Sequence, residues 1–79
     1  MKPANAFGQA LKHFRARQNF SQERLSQESS LDRSYISLLE RGLRQPSLTT
    51  LLQLAEALKI PASDLILKVE ELLNENHKG

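Results

Sequence analysis

A chain of 79 residues, with 39% apolar and 25% charged side chains, suits one folded domain and is too short to divide into two. It has no cysteine, which excludes disulfides and thiolate chemistry, and its formal net charge is only +2. The opening MKPANAFGQALK holds no apolar run long enough for a signal peptide or membrane span, so a soluble cytoplasmic protein is expected. The charge is unevenly spread. Residues 1–46 carry eight Lys and Arg against four Asp and Glu, a net +4, whereas residues 47–79 carry three against five, a net −2. A basic front and an acidic back suit a module that turns one side toward a polyanion.

Met1 to Asn5 reads as a flexible polar lead-in. From Ala6 onward, Phe7, Leu11 and Phe14 recur at helical spacing with Ala10 on the same side, leaving Gln9, Lys12, His13 and Arg17 outward. Asn19 should end this first helix, because asparagine tolerates the left-handed conformation of a helix terminus, and Phe20 turns back to the core. Ser21 is a suitable N-cap for a second, short helix, with Glu23 at the positive end of its dipole and Leu25 inward. That helix should stop near Ser29 and Ser30. Leu31 re-enters the core and Asp32 caps a third helix, which carries Tyr35, Ile36, Leu39 and Glu40 on adjacent turns and ends at Gly42.

After the loop GLRQPS, Ser47 caps a fourth helix with an apolar stripe of Leu48, Leu51, Leu52, Ala55 and Leu58, and Leu54 at its margin. Ile60-Pro61 interrupts the chain, and a fifth helix starts at Pro61 or Ala62. No segment alternates with period two and no hairpin turn signal appears. The expected fold is all-α, a compact five-helix bundle with a helix-turn-helix between Gln22 and Arg44 and an extended C-terminal helix.

The run from Phe7 to about Leu65 resembles the lambda-repressor-like, Cro-type helix-turn-helix domain. Within that group it is most similar to the small controller proteins of restriction–modification systems. The strings that carry the resemblance are SQERLSQES for the supporting helix, LDRSYISLLERG for the recognition helix, and RQPSLTTLLQLAEALKIPASDL for the fourth helix and the start of the fifth. The resemblance implies double-stranded DNA as the partner. It also implies a salt bridge between Arg15 and Glu40, a backbone clamp at Gln22 and a DNA contact at Arg44. Ser26 stands where the family usually has alanine, and Ser30 where the turn prefers glycine.

A recognition helix reads bases through its first turns. Arg33 is the expected base reader, since its fork matches guanine O6 and N7. Ser34, Tyr35 and Ser37 are expected beside it, with the Tyr35 hydroxyl able to reach a phosphate and its ring a thymine methyl or the core. Leu38 would touch a thymine methyl or stand exposed. Gln22, Arg41, Arg44, Ser47 and Thr49 are expected to position the DNA backbone. For Arg41 a solvated residue complementing the helix dipole is the alternative.

Leu65, Ile66, Val69, Leu72 and Leu73 form a stripe longer than a five-helix core needs, so a two-fold homodimer through the fifth helix is expected. The expected division is a flexible lead-in over 1–5, a DNA-binding helix-turn-helix domain over 6–67, and a helical extension over 68–79 with the dimer contact and a frayed tail. His13 and His77 lie far apart and Glu70-Glu71 reads as a solvated helix face, so no catalytic signature appears. No cofactor, metal, membrane or small-molecule effector is expected. The function expected is that of a sequence-specific transcriptional regulator on a palindromic operator. An antitoxin or adaptor using the same fold on a protein partner is the alternative, although an adaptor would not need Arg33 and Gln22 at DNA-facing positions.

Overall fold

The computed structural model describes residues 1–77, with side chains described through Glu75. These residues form five α-helices and no strand: α1 (Pro3–Arg17), α2 (Gln22–Ser29), α3 (Arg33–Glu40), α4 (Leu48–Ala57) and α5 (Ala62–His77). The all-α expectation holds. Residues 78–79, the end of the expected frayed tail, lie outside the described residues.

The first helix starts three residues earlier than Ala6, because Pro3 occupies its first position with Lys2 extended before it. Proline has no N–H to lose there, and its fixed φ already suits the helix. Asn5 therefore belongs to α1, and its side chain packs against the backbone at Gly42.

Three helices end in the same way. Asn19, Gly42 and Lys59 follow α1, α3 and α4 with φ of 59°, 74° and 60°. Each is followed by an apolar residue whose N–H bonds back five residues: Phe20 to Arg15 at 3.1 Å, Leu43 to Leu38 at 3.0 Å and Ile60 to Ala55 at 3.1 Å. This is the Schellman arrangement, which satisfies carbonyls that a helix end would otherwise leave orphaned. Phe20 and Ile60 pack on the core, as the motif favours, but Leu43 remains 60% exposed.

Serine hydroxyls shape the helix-turn-helix. Ser21 Oγ accepts the N–H of Arg24 at 3.0 Å and so caps α2. Ser30, at φ 60° and ψ 24°, takes the left-handed position of the turn. Ser26 Oγ donates to the Leu31 carbonyl, and buried Ser29 Oγ accepts the Leu31 N–H at 3.3 Å. Both serines thus hold the chain as it leaves the turn. Asp32 occupies the cap position of α3 but makes no side-chain cap bond; its Oδ2 instead accepts from Ser34 Oγ at 2.6 Å.

The core gathers Phe7, Ala10, Leu11 and Phe14 of α1, Leu25 of α2, Ile36 and Leu39 of α3, Leu51, Leu54, Ala55 and Leu58 around α4, and Leu65 of α5. Two expectations change here. Leu54 lies fully inside the core rather than at its margin, whereas Leu48 and Leu52 are 74% and 51% exposed. The buried arc of α4 centres on Leu51, Leu54 and Leu58, and at 100° per residue Leu48 and Leu52 fall beyond its edge. Leu65 is completely buried within its own chain, and Val69 and Leu72 pack on the same core. α5 lies mainly along α1, and that contact consumes much of the stripe assigned to a dimer.

Candidate nucleic-acid interface

α3 is held by a polar network at its C-terminal end. Arg15 Nε donates to Glu40 Oε2 at 2.6 Å and Nη2 donates to Oε1 at 3.0 Å, while Nη1 reaches the Phe20 carbonyl at 2.8 Å. The Arg15–Glu40 pair therefore forms with fork geometry, and Arg15 ties α1 both to α3 and to Phe20 in the turn that leads into α2. The desolvation of both charges offsets much of the attraction, so the pair contributes orientation more than stability. Gln22 Nε2 donates to Glu40 Oε1 at 3.0 Å, which adds the first residue of α2. Among the described residues, no buried side-chain nitrogen or oxygen is left without a partner.

The opposite end of α3 carries an exposed guanidinium. Arg33 opens the helix, exposed, and among the described residues it has no ion-pair partner. Ser34 is exposed but its hydroxyl is engaged with Asp32. Tyr35 is half-buried and packs against the core, so its ring serves the fold as well as the surface. Ser37 and Leu38 are half-buried.

Beyond α3, Arg41 and Arg44 are exposed around Gly42, also without an ion-pair partner among the described residues. A β-carbon at Gly42 would be strained, because its φ is 74°, and it would have to displace the Asn5 side chain. α1 thereby fixes the loop that bears both arginines. Asn5 escaped the sequence reading because it lay in the expected lead-in. Ser47 is exposed, yet its Oγ accepts the Thr50 N–H at 3.1 Å and donates to Thr50 Oγ1 at 3.0 Å, so it caps α4. Thr49 is exposed.

The residues expected at a dimer contact separate. Leu65 is internal; Val69, Leu72 and Leu73 are half-buried; Ile66 is 43% exposed. Ile66 and Val69 line a shallow groove of about 190 Å³ with Pro3, Ala4, Phe7, Gln45 and Pro46. Exposed Leu48 and Leu52 on α4, and Leu67 on α5, are apolar surface that the fifth-helix stripe did not include. Among the described residues, no helix is long and apolar enough to cross a membrane.

A helix-turn-helix family model matches residues 11–65. The control protein C.BamHI of Bacillus amyloliquefaciens is 41% identical over 61 residues, which span 76% of this chain and 75% of that protein. The crystal structure of the restriction–modification controller protein C.AhdI of Aeromonas hydrophila superposes with a TM-score of 0.77 at 45% identity, covering 78% of this chain and 94% of that one. The restriction–modification controller protein C.Esp1396I, solved as a tetramer in complex with its natural 35 base-pair operator, matches with a TM-score of 0.77 at 26% identity over 87% of this chain and 96% of its own. With the motif's geometry and a family match over most of its core, this chain belongs to the helix-turn-helix family, among relatives that include restriction–modification controller proteins.

Proposed function

We propose that the protein is a sequence-specific, double-stranded DNA-binding transcriptional regulator of the controller type, acting in the cytoplasm on a palindromic operator. The observation that carries this reading is Arg33. It is an exposed guanidinium at the first position of α3, without an ion-pair partner among the described residues, on a helix held from behind by Arg15 and Glu40. With α3 in the major groove, Arg33 reads a guanine through O6 and N7, flanked by Ser34, Tyr35 and Ser37. Gln22 at the start of α2, Arg41 and Arg44 after α3, and Ser47 and Thr49 at the start of α4 hold phosphates on either side. The operator complex of the related controller protein C.Esp1396I supports DNA as the ligand.

The regulator works as a homodimer, with the helix-turn-helix unit over 6–67 meeting DNA and the extension over 68–79 contributing to the partner contact. Leu65 being internal, the contact uses Ile66, Val69 and Leu73 with exposed Leu48 and Leu52 of α4. Two recognition helices about 34–36 Å apart then meet successive turns of the duplex. Selection of bound duplexes from a random pool, followed by a salt titration, tests the reading. A two-fold symmetric consensus with affinity falling steeply in salt is expected. Absence of enrichment above background would overturn it.

A further inference from the structure

The carboxylate of Glu40 links two features that the sequence presents as unrelated, an internal ion pair and a backbone clamp. Its side chain is only 4% exposed, and its two oxygens receive three donors: Arg15 Nε at 2.6 Å on Oε2, and both Arg15 Nη2 and Gln22 Nε2 at 3.0 Å on Oε1. A carboxamide holds two N–H groups and a carbonyl in one plane. With one N–H committed to Glu40, the plane of the Gln22 amide is set, and its other N–H is left for a different acceptor. Gln22 is also the first residue of α2, where the backbone N–H groups have no partner inside the helix and the dipole end is positive.

We propose that Glu40 is a positioning residue for the DNA backbone: it holds the Gln22 carboxamide so that the second N–H meets a phosphate. Arg15 completes the device. A bare carboxylate beside a phosphate contact would repel the DNA, and the guanidinium on both oxygens cancels that charge while leaving the acceptor lone pair for Gln22. Arg15, on α1, thus acts on DNA without touching it. The inference rests on the DNA-binding reading above and deepens it.

The test is ethylation interference on the selected operator, which reports each phosphate separately. Wild-type protein should show a contacted phosphate in each half-site that Gln22→Ala alone abolishes. Replacing the pair together, Arg15→Met with Glu40→Leu, removes both charges at similar volume and keeps the fold, while taking away the acceptor for Gln22. The double variant, confirmed as folded by its melting curve, should lose that same phosphate and keep the others and the base preference. Its affinity should fall about 2- to 10-fold per half-site, the loss of one hydrogen bond, and adding Gln22→Ala should cost nothing more. Retention of the phosphate in the double variant, or loss of all phosphates and base preference together, would overturn the positioning role. In the unmutated protein, the Gln22 Nε2 resonance should move on operator binding; an Nε2 resonance that stays in place would overturn the proposal independently. If wild-type protein selects no duplex at all, the DNA-binding reading itself fails, an outcome distinct from each of these.

Discussion

Gly8 of α1 passes so close to the C-terminal turn of α3 that a β-carbon on it would lie 2.5 Å from the Leu39 carbonyl oxygen and 2.6 Å from that of Glu40. Those atoms are backbone, so neither can swing aside. Helix propensity alone would favour alanine at this position by about 1 kcal/mol. Overpacking against a rigid neighbour costs about 1–3 kcal/mol or more, and it wins. Gly8→Ala should therefore lower stability by about 1–2 kcal/mol and the melting temperature by several degrees, measured by calorimetry. A melting temperature at or above that of the wild type would show that α1 and α3 separate at little cost.

Ser30 presents the opposite balance. It holds a left-handed conformation at φ 60° with its side chain exposed, and the neighbouring hydroxyls of Ser26 and Ser29, not its own, close the turn. Glycine adopts that conformation without the steric penalty. Ser30→Gly should raise stability by up to about 1 kcal/mol, visible as a shift of the denaturant midpoint at unchanged slope. A decrease would mean that the serine side chain contributes a contact worth more than the strain it carries.

For DNA reading, Arg33→Ala should leave the melting curve unchanged, since Arg33 is exposed and has no ion-pair partner among the described residues. It should relax the base preference at one position per half-site by about 1–3 kcal/mol, read from the selected consensus. A uniform loss across all sequences would move Arg33 from base reading to phosphate contact.

The division of α5 into an inner and an outer face separates folding from association. Leu65→Ala deletes a fully buried side chain and should cost about 2–5 kcal/mol of stability. Ile66→Lys alters an exposed position and should leave the monomer folded while shifting sedimentation toward the monomer and weakening operator binding. Should Ile66→Lys leave the sedimentation profile untouched, the groove beside Pro3 and Pro46 is not part of the dimer contact.

His13 gives the fold a shallow dependence on pH. Although His13 is exposed, the slight desolvation it undergoes beside α5, then the nearby positive charges of Lys68 and Arg17, hold its pKa below the usual 6.5, against an opposing pull from Glu71. The unfolded chain therefore takes up a proton first as pH falls through 6.5. Stability should decline from that point until the folded-state pKa is passed, and stay level above 6.5 as far as this group is concerned. Denaturant titrations of wild type and His13→Gln between pH 5 and 8 should differ in that acid window only. Equal slopes in the two proteins would remove His13 as the cause.

Much of this protein is written in local chemistry. Apart from the start of α1, which lies three residues before the expected Ala6, the ends of α1 to α4 are legible because their signals act within a few residues: Ser21 and Ser47 cap, Asn19 and Gly42 take left-handed turns, and Pro61 separates the last two helices. The helix-turn-helix strings likewise name the family and point to Arg33, because it directly follows the N-cap position of Asp32 at the head of α3.

Tertiary structure decides what local chemistry leaves degenerate. Apolar side chains cover so much of α4 that periodicity alone could not choose its buried arc, and the directions from which α2 and α5 approach select Leu54 over Leu48 and Leu52. α5 looks amphipathic whether it meets α1 or a second copy, and the contact with α1 takes Leu65 inside. Helix propensity alone would prefer alanine to Gly8, and the glycine becomes a requirement only when the α3 backbone lies against it. The Glu40 carboxylate is shared by side chains 25 and 18 residues away, a relation of distance that no local pattern carries. Sequence determines the helices, their caps and the family, because those are short-range effects; the side chains that stay free at the surface depend on which faces the helices spend on one another.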